Sequence, residues 1–423
     1  MYSTKIGENV MKVVGIVTEY NPFHNGHKYQ IEKVKKETNA DYVIVAMSGN
    51  FLQRGVPAVC EKFLRAEMAL KCGADLVLEI PTLWATASAE YFAHAGVSLL
   101  AATGVVTHLA FGAETDDLDA LLEIASILKD EPDVYRSVLS NSIRSGNAFP
   151  VARKNALVTS LPHFSQEKLD ELLNNPNNIL ALEYLKALPS HITPILIKRE
   201  GAGYHDTEIN TELPSASAIR EAISTDSESI DWEAIENAMP YESFVIFKNA
   251  LKCNQLLTTN DFSDVLGYCL LSQEVRGFAT YADCNQDFSN KIKNNLKHYV
   301  LLDNFIDLLK SKDMTYTRVS RCLLHILLDI KQCDYTIGRA IGYAPYLRIL
   351  GFKNASSGLL SEMKRNATAP IISKAADAST LLDYETNKFF DKDVFASNLY
   401  YQHVARKSGT IPKNEYTNQI VIL

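Results

Sequence analysis

Two histidines beside a glycine are the residues of this chain that best suit phosphate chemistry. His24 and His27 flank Asn25 and Gly26, directly after an apolar run at 13–17. Side chains three residues apart lie on one side of a helical turn, so both imidazoles can face the same spot. The first turn of a helix also offers unpaired N–H groups and the positive end of the helix dipole. We therefore predict a phosphate site, with Gly26 letting phosphates approach the backbone. The alternative is that both histidines only cap the helix.

The elements around this motif follow the order of a layered α/β protein. Short apolar runs at 41–47, 74–80, 108–112 and 191–197 alternate with helical patterns at 26–38, 62–72, 87–100, 116–161 and 179–187. Near-continuous apolar strands between helices are typical of a parallel sheet covered on both faces. Such sheets bind ligands at the carboxyl ends of their strands. We therefore predict an α/β fold with a doubly wound parallel sheet.

The later half of the chain has a different pattern. From residue 231 onward the apolar spacing is almost entirely helical, for instance at 319–330. A polar run at 224–229 separates the two patterns, which favours a boundary there. The prediction is an N-terminal extension at 1–10, a catalytic domain at 11–228 and an all-α C-terminal domain at 229–423.

Other residues that could bind anionic oxygens stand at predicted strand ends or helix starts. Ser217 and Arg220 open a helix near 215, where hydroxyl, N–H and guanidinium groups would meet. A plain helix cap is an equal alternative. Arg199 and Gly112 follow strands and Asn177 precedes a helix, so each could contact a nucleotide, although each alone also suits a structural role. Further candidates for neutralising phosphate charge are Lys62 and Arg54.

Composition and charge limit which partners and which cell compartment suit this protein. The 423 residues carry a net charge of −8, but residues 290–423 hold 19 basic against 12 acidic side chains. A cationic end on an acidic protein suits a polyanion such as RNA, and a solvated helical surface explains it equally well. No apolar run could span a membrane, the first ten residues lack a targeting core, and seven cysteines without Cys-x-x-Cys spacing suit reduced thiols. These features predict a cytoplasmic protein.

Several other functional classes lack their motifs in this sequence. There is no Gly-x-x-x-x-Gly-Lys-Ser/Thr, no Gly-x-Gly-x-x-Gly after the first strand, and no serine or cysteine in a nucleophile-elbow context. This disfavours P-loop ATPases, dinucleotide-binding enzymes and covalent hydrolases. Nothing in the sequence points to a membrane, to DNA or to an obligate protein partner.

Longer stretches of the chain resemble one family. The order strand, His-x-Gly-His, helix is similar to nucleotidyltransferases and class I aminoacyl-tRNA synthetases. The segments at 15–27, 47–58, 111–114, 176–180, 204–206 and 217–220 resemble the bacterial tRNA(Met) cytidine acetate ligase family, as do 316–321 and 347–352. The resemblance extends over about 11–374 and is most specific in its first segment. Asn50 departs from the pattern, because a histidine is expected there.

The resemblance implies an enzyme that uses ATP to activate acetate as acetyl-adenylate. It then passes the acetyl group to N4 of the wobble cytidine of elongator tRNA(Met). The resemblance also implies a sheet of the nucleotidyltransferase kind and His24 and His27 as the catalytic pair. Mg²⁺ would accompany the triphosphate, although no acidic cluster marks a metal cage. The implied ATP-binding residues are Val17, Thr18, Glu19, Tyr20, Asn21, Pro22, Phe23, His24, Asn25, Gly26, His27, Lys28, Gly112, Asn177 and Arg199. The implied tRNA contacts are Arg318, Arg321 and Arg348.

Two other functions stay open at this point. A small-molecule adenylyltransferase, of the phosphopantetheine or nicotinate-nucleotide type, needs only the first domain and would leave residues 229–423 without a role. A non-catalytic RNA-binding protein with a relic nucleotide fold is the second alternative. Intact His24, Gly26, His27 and Arg220 disfavour such a relic. The sequence therefore favours the ligase.

Overall fold

A computed structural model describes residues 11–199, 215–223 and 230–423 of the chain. The predicted extension at 1–10, the boundary run at 224–229 and the family-like segment at 204–206 lie outside these residues.

Eight strands are defined in the described part of the chain. They are β1 (Val13–Thr18), β2 (Tyr42–Ser48), β3 (Leu76–Ile80), β4 (His108–Ala113), β5 (Thr193–Lys198), β6 (Leu347–Phe352), β7 (Ile371–Ile372) and β8 (Val421–Ile422). Each of the five strands predicted from apolar runs is present, with ends shifted by one or two residues. Local apolar patterning was therefore sufficient to find them.

The α-helices of the N-terminal part are α1 (Asn25–Thr38), α2 (Lys62–Lys71), α3 (Thr82–Ala85), α4 (Ala89–Ala102), α5 (Leu118–Asp130), α6 (Asp133–Arg144), α7 (Phe149–Ser160), α8 (Gln166–Asn174), α9 (Pro176–Ala187) and α10 (Ala216–Ala222). Those that follow are α11 (Trp232–Ala238), α12 (Tyr241–Lys252), α13 (Ser263–Gln273), α14 (Gln286–Asn295), α15 (Leu302–Leu309), α16 (Tyr316–Leu327), α17 (Gln332–Ile341), α18 (Ser357–Asn366), α19 (Ala378–Leu381) and α20 (Tyr384–Ser408). Short 3₁₀ helices lie at Thr259–Phe262, Leu296–His298, Asn354–Ser356 and Ala375–Asp377.

The strands form one sheet in the order β5-β4-β1-β2-β3-β6-β7, with β8 beside β6. Strands β1 to β5 pair in parallel, which confirms the predicted parallel sheet. Successive residues of β1 enter different cores: Val13 packs in one buried cluster, and Val14 and Ile16 pack in another. Because side chains alternate across a strand, both faces of this sheet are covered, as a doubly wound fold requires.

The strand order reverses at β1, and this reversal predicts where a ligand-binding crevice lies. From β1 the chain adds β2 and β3 on one side, and then crosses to β4 and β5 on the other. In open α/β sheets the crevice at such a reversal, outside the carboxyl ends of the strands, is where ligands bind. Helix α1 begins in this crevice, seven residues after Thr18.

The C-terminal part is helical as predicted, but it is not purely α-helical. Strand β6 pairs antiparallel with β3, and β7 and β8 extend the sheet beyond it. An uncovered edge of β3 would present a row of unpaired N–H and C=O groups, which β6 satisfies. The run at 347–352 is short and apolar, and within a helical context its spacing does not distinguish a strand from a buried helix segment. No helix in the described residues has both the length and the apolar composition to cross a bilayer.

Candidate active site

A cleft of about 260 Å³ opens at the carboxyl ends of β1, β4 and β5, next to the start of α1. It is therefore the crevice that the strand order predicts. Most of the residues proposed for nucleotide binding line it. They are Val17, Thr18, Glu19, Tyr20, Asn21, His24, Gly26, His27, Gly112, Asn177, Arg199, Ser217 and Arg220.

The two histidines are held by the backbone of the first turn of α1. The N–H of Gly26 donates to Nδ1 of His24 at 3.1 Å, and the N–H of His24 donates to Nδ1 of His27 at 3.2 Å. The ring centroids are 3.8 Å apart. The rings therefore cap the helix and also line the cleft, and a phosphate site at this turn stays a prediction.

The protonation state of these rings follows from their surroundings. Burial, followed by the charges of Arg199 and Arg220, lowers the pKa of His24 to about 3. Burial, then His24 and Arg199, lowers the pKa of His27 well below its ordinary value. Each ring is therefore neutral near pH 7, and since Nδ1 accepts a hydrogen bond, its proton lies on Nε2. Both imidazoles are N–H donors that suit a phosphate oxygen.

Acidification from pH 7 to pH 5 is expected to destabilise the protein through His24. Its pKa is about 3 in the folded chain and about 6.5 in the unfolded chain. As the pH falls below about 6.5, the unfolded state binds a proton that the folded state excludes, which costs about 2 kcal/mol at pH 5. Urea unfolding at both pH values should show a loss about 2 kcal/mol smaller in His24→Asn, which keeps a helix-capping side chain.

A matched control for this measurement is His163→Asn, because the ring of His163 is exposed at the surface. It should lose as much stability as the wild-type protein on acidification. Equal losses in wild type and His24→Asn would contradict a neutral, buried His24.

Three arginines bring positive charge to the cleft, namely Arg54, Arg199 and Arg220, and Lys198 also lines it. Burial lowers the pKa of each of these guanidinium groups, and the charge of Arg54 lowers that of Arg220 further, to about 10. The three side chains stay protonated at neutral pH, because a guanidinium gives up its proton only far above it. Cations packed this closely favour a polyanionic ligand such as a triphosphate.

Helix α10 delivers Arg220 to the end of β1. Its N-cap is Ser215, whose hydroxyl accepts from the N–H of Ala218 at 3.1 Å. One Arg220 nitrogen donates to the carbonyl of Asn21 at 2.6 Å, and the other donates to the hydroxyl of Ser217 at 3.0 Å. The planar fork of arginine makes both bonds at once, which a lysine could not do in the same way.

The asparagines at the start of α9 organise the end of β4. The Asn177 amide donates to a carboxylate oxygen of Glu114 at 2.6 Å, and the N–H of Asn178 donates to the other oxygen at 3.0 Å. The side-chain Oδ1 of the buried Asn178 accepts from the N–H groups of Glu114 and Thr115. Asn177 therefore lines the cleft while holding Glu114, a residue that sequence reasoning did not single out as a site residue.

The glycines of the cleft have different roles. A Cβ atom on Gly26 would lie 2.9 Å from the His24 ring, so this glycine makes room for the imidazole. At Gly112 a Cβ would meet Arg199 only at 3.4 Å, an ordinary contact, and this residue faces the cleft. Gly26 therefore makes room for the His24 ring, and the approach of a nucleotide to the backbone of Gly112 stays a prediction.

An apolar wall completes the cleft, and the sequence did not reveal it. It is formed by Phe92, Phe111, Leu180, Tyr184 and Ile197. Such side chains suit the face of a base. In the sequence they belong to apolar strands and helices that equally suit a buried core, so spacing alone could not mark them.

Arg65 is a structural residue of the site that sequence reasoning missed. It is fully buried, and its guanidinium donates to the carbonyls of Glu19 at 2.6 Å and Ser48 at 3.2 Å. It also donates to the carbonyls of Gly49 and Cys60. These bonds tie the carboxyl ends of β1 and β2 together.

Four residues of the predicted nucleotide segment do not line the cleft. Phe23 is fully buried against the rings of Tyr20 and His27. Asn25 donates its amide to the carbonyl of Asn237 at 2.7 Å. The other two are Pro22, which is buried, and Lys28, which is partly exposed and 3.9 Å from Glu32. These residues support the motif instead of facing the ligand.

The prediction that Lys62 contacts phosphate is corrected by its position. Lys62 is fully buried outside the cleft lining, and its ammonium lies 2.7 Å from Glu79 and 2.9 Å from Glu415. It also donates to the hydroxyl of Ser397 at 3.0 Å. An ammonium already paired with two carboxylates inside the protein is not available to a phosphate.

The three arginines proposed for tRNA binding have different surroundings. Arg318 is exposed on the first turn of α16. Arg321 is only 11% exposed and donates to Asp283 at 2.9 Å. Arg348 is fully buried, pairs with Glu415 and donates to the carbonyl of Ser373 at 2.9 Å. The prediction of a tRNA contact at Arg348 is therefore corrected, because a buried side chain cannot reach a phosphate backbone.

Asn50 also lies outside the cleft lining. It is 2% exposed, and its side-chain Oδ1 accepts from the N–H of Lys62 at 2.8 Å. Its position is thus at the start of α2, beside the buried Lys62 group.

The chain matches the family model of the HIGH nucleotidyl transferases over residues 11–414. A tRNA(Met) cytidine acetate ligase of Clostridium perfringens is 39% identical over 401 residues, which cover 92% of this chain and 95% of the relative. The enzyme of the same name from Caldanaerobacter subterraneus subsp. tengcongensis is 38% identical over 417 residues, covering 98% and 100%. A crystal structure of Thermotoga maritima TmcAL bound with alpha-thio ATP superposes with a TM-score of 0.88 at 30% identity, covering 98% of this chain and 100% of that one.

Proposed function

This chain belongs to the tRNA(Met) cytidine acetate ligase family within the HIGH nucleotidyl transferases, and on that basis we propose that it acetylates tRNA. The proposed reaction joins acetate to N4 of the wobble cytidine of elongator tRNA(Met), with ATP converted to AMP and pyrophosphate. The observation that carries the proposal is the pairing of neutral imidazoles with arginines in one cleft. The ATP analogue in the Thermotoga maritima structure supports ATP as the nucleotide.

In the first step an oxygen of acetate attacks the α-phosphorus of ATP. The new P–O bond forms acetyl-adenylate, and the bond to the β-phosphate oxygen breaks to release pyrophosphate. Negative charge builds on the phosphate oxygens as the phosphorus becomes five-coordinate. The Nε2–H groups of His24 and His27 and the guanidinium groups of Arg54, Arg199 and Arg220 would stabilise this charge. In phosphoryl and nucleotidyl transfer, positioning and electrostatics supply most of the catalysis.

In the second step N4 of the cytidine attacks the acetyl carbonyl carbon. The carbon–oxygen bond to AMP breaks, AMP leaves, and N4 loses one proton to give N4-acetylcytidine. A wobble base lies in an anticodon loop, where bases are unstacked more easily than in a helix. The same cleft can therefore serve both steps if the loop reaches it.

We propose that Mg²⁺ enters with the triphosphate and supplies counter-charge to the leaving pyrophosphate. Mg²⁺ is usually held by substrate phosphates, water and one or two carboxylates. The cleft fits such a metal, because Glu19 lines it and supplies a carboxylate. One oxygen of this carboxylate accepts from the N–H of Gln53. In the described residues no group of three or more His, Cys, Asp or Glu side chains could hold a metal by itself. Since the substrate would be a tRNA, we place the activity in the cytoplasm.

The test of the function is incubation with ATP and labelled acetate, with and without tRNA(Met). We expect AMP to form only when acetate is present, and label to enter the tRNA. AMP formation only with a phosphopantetheine-type or nicotinate-nucleotide substrate would overturn the proposal in favour of a small-molecule adenylyltransferase. Binding of tRNA without any turnover of ATP would indicate an RNA-binding protein. Mass analysis of the anticodon from cells with and without the protein would test the same function in vivo.

We propose that the helical part after residue 229 binds the tRNA, and Arg318 is the exposed arginine to test. Arg318→Ala should weaken tRNA binding and lower the slope of log affinity against log salt by about one, because one phosphate contact releases about one counterion. Arg136→Ala, which removes an exposed arginine from α6, should leave the slope unchanged. An unaltered slope in Arg318→Ala would remove this residue from the interface.

A further inference from the structure

A tight turn at residues 52–56 carries Arg54 into the cleft. It is closed by a hydrogen bond from the N–H of Leu52 to the carbonyl of Val56 at 3.0 Å, and by one from the N–H of Gly55 to the carbonyl of Leu52 at 2.9 Å. We call this segment the Arg54 turn. Leu52, Arg54 and Val56 all line the cleft. The position of the Arg54 guanidinium is therefore set by where the turn is held.

One side of the Arg54 turn is attached to the end of β1. The N–H of Gln53 donates to a carboxylate oxygen of Glu19 at 2.8 Å. The base of the turn is closed by the antiparallel bridge between Phe51 and Pro57. These contacts hold the base of the turn and its Gln53 side, and they do not include Gly55, the residue that follows Arg54.

Helix α16 supplies a support at Gly55 from the C-terminal part of the chain. The hydroxyl of Ser320, which is 2% exposed, donates to the carbonyl of Gly55 at 2.9 Å. Gly55 has a φ of +80°, and a Cβ atom there would lie 2.3 Å from the backbone nitrogen of Arg321. Only glycine fits both the left-handed backbone and the contact with the helix. The turn therefore rests directly on the backbone of α16.

The helix that bears the turn is itself held on several sides. Its N-cap hydroxyl, from Thr315, accepts from the N–H of Arg318, and Arg321 pairs with Asp283 at 2.9 Å. The buried ring of His325 lies 3.0 Å from the carbonyl of Thr86, which follows α3 in the N-terminal part of the chain. A helix fixed in this way can act as a rigid support, because packed elements resist small shifts.

We propose that Gly55 and Ser320 are positioning residues, which hold Arg54 against the β- and γ-phosphates of the nucleotide. The helical part of the chain then completes the ATP site, in addition to any role in binding tRNA. The proposal rests on the proposed function only for the identity of the nucleotide. Positioning errors of about 1 Å can cost roughly 100-fold in activity, so loss of one anchoring hydroxyl should reduce affinity for ATP measurably.

The test is a double-mutant cycle on nucleotide binding by the full chain. Affinities for alpha-thio ATP are measured by calorimetry for wild type, Ser320→Ala, Arg54→Ala and the double variant, without acetate or tRNA. We expect each single variant to bind roughly 10-fold more weakly, and the double variant to bind no more weakly than Arg54→Ala, because the hydroxyl acts only through Arg54. Multiplied effects in the double variant would overturn the proposal.

Affinity for AMP separates positioning from general damage to the fold. AMP lacks the β- and γ-phosphates, so its affinity should be unchanged in Ser320→Ala. Equal losses for AMP and for alpha-thio ATP would overturn the proposal. Gly55→Ala, which pushes the turn away from α16, should show the same selective loss as Ser320→Ala.

The matched control is Ser289→Ala, in α14. Ser289 is also fully buried, and its hydroxyl accepts from the N–H of Phe278 at 2.8 Å, but it contacts neither the Arg54 turn nor the cleft. Its affinity for alpha-thio ATP should match wild type. If wild type binds no nucleotide, this inference and the proposed function both fail. Nucleotide binding without acetate-dependent AMP formation would overturn only the proposed function.

Discussion

His27→Ala is expected to abolish acetate-dependent release of pyrophosphate, while affinity for tRNA stays nearly unchanged. The ring of His27, which burial keeps neutral, offers an Nε2–H donor at the start of α1, on the wall of the cleft. Removing one preorganised donor to a developing oxyanion commonly costs about 10²–10³ in kcat. Here the loss should lie at the upper end, because His24 loses its neighbour at a ring distance of 3.8 Å. The measurement is the rate of acetate-dependent pyrophosphate release.

The variant His27→Asn separates catalysis from helix capping. The N–H of His24 donates to Nδ1 of His27, and an asparagine oxygen can replace this acceptor. It has no group that reaches the place of Nε2. We expect His27→Asn to be as inactive as His27→Ala but closer to wild type in stability. A loss of tRNA binding in either variant would contradict the proposal that ATP and tRNA bind to different parts of the chain.

Lys62→Met is expected to lower the free energy of unfolding by about 3–5 kcal/mol, the usual cost of breaking a buried ion pair. The change keeps the length of the side chain but leaves Glu79 and Glu415 buried without their ammonium. Since Lys62 does not line the cleft, the folded protein should bind alpha-thio ATP as tightly as wild type. Urea unfolding and calorimetry give the two quantities. Unchanged stability with lost nucleotide binding would restore Lys62 as a phosphate ligand.

The same helix offers a matched control for this change. Lys71 of α2 is 37% exposed and pairs with Glu67 at 2.8 Å. Because exposed pairs contribute less than about 1 kcal/mol, Lys71→Met should have little effect on stability.

The pH dependence of the Lys62→Met deficit provides a second check. In the wild type, burial raises the pKa of Glu79 to about 7, against the opposing effect of Lys62. A carboxyl whose pKa is raised on folding stabilises the protein below its unfolded pKa, and that contribution is lost as pH rises. Without the ammonium this rise in pKa is larger, so the deficit should be greater at pH 8 than at pH 5. An equal deficit at both pH values would indicate that the loss comes from packing.

Much of the fold could be predicted because it depends on local patterns. The apolar runs that became β1 to β5 have the length and composition of buried strands, and the helices between them have matching spacing. The family resemblance was also confirmed, by the match to the HIGH nucleotidyl transferase model over residues 11–414 and by ligase relatives that are 38% and 39% identical. Strand β6 was missed since its partner, β3, lies about 270 residues earlier. Nothing in a local pattern records such a pairing.

The residues proposed for the cleft also differ in whether local sequence alone could place them. His24, Gly26 and His27 lie within one four-residue motif, and Gly112, Arg199 and Arg220 stand where the rule for strand ends and helix starts places them, so they could be proposed together. Lys62 also begins a helix, and by that rule it was an equal candidate. Its carboxylate partners are 17 and 353 residues away in the chain, and they turn it into a core residue.

Neighbouring residues were thus enough to identify the strand, the turn and the histidine pair that line the cleft, since their geometry is set locally. Folding in three dimensions determined which of the remaining charges stay on the cleft and which enter the core. It also brought Ser320 against Gly55, two residues 265 positions apart. The physical reason is that burial and pairing of charge depend on all the elements packed around a side chain, and sequence spacing describes only those on its own element.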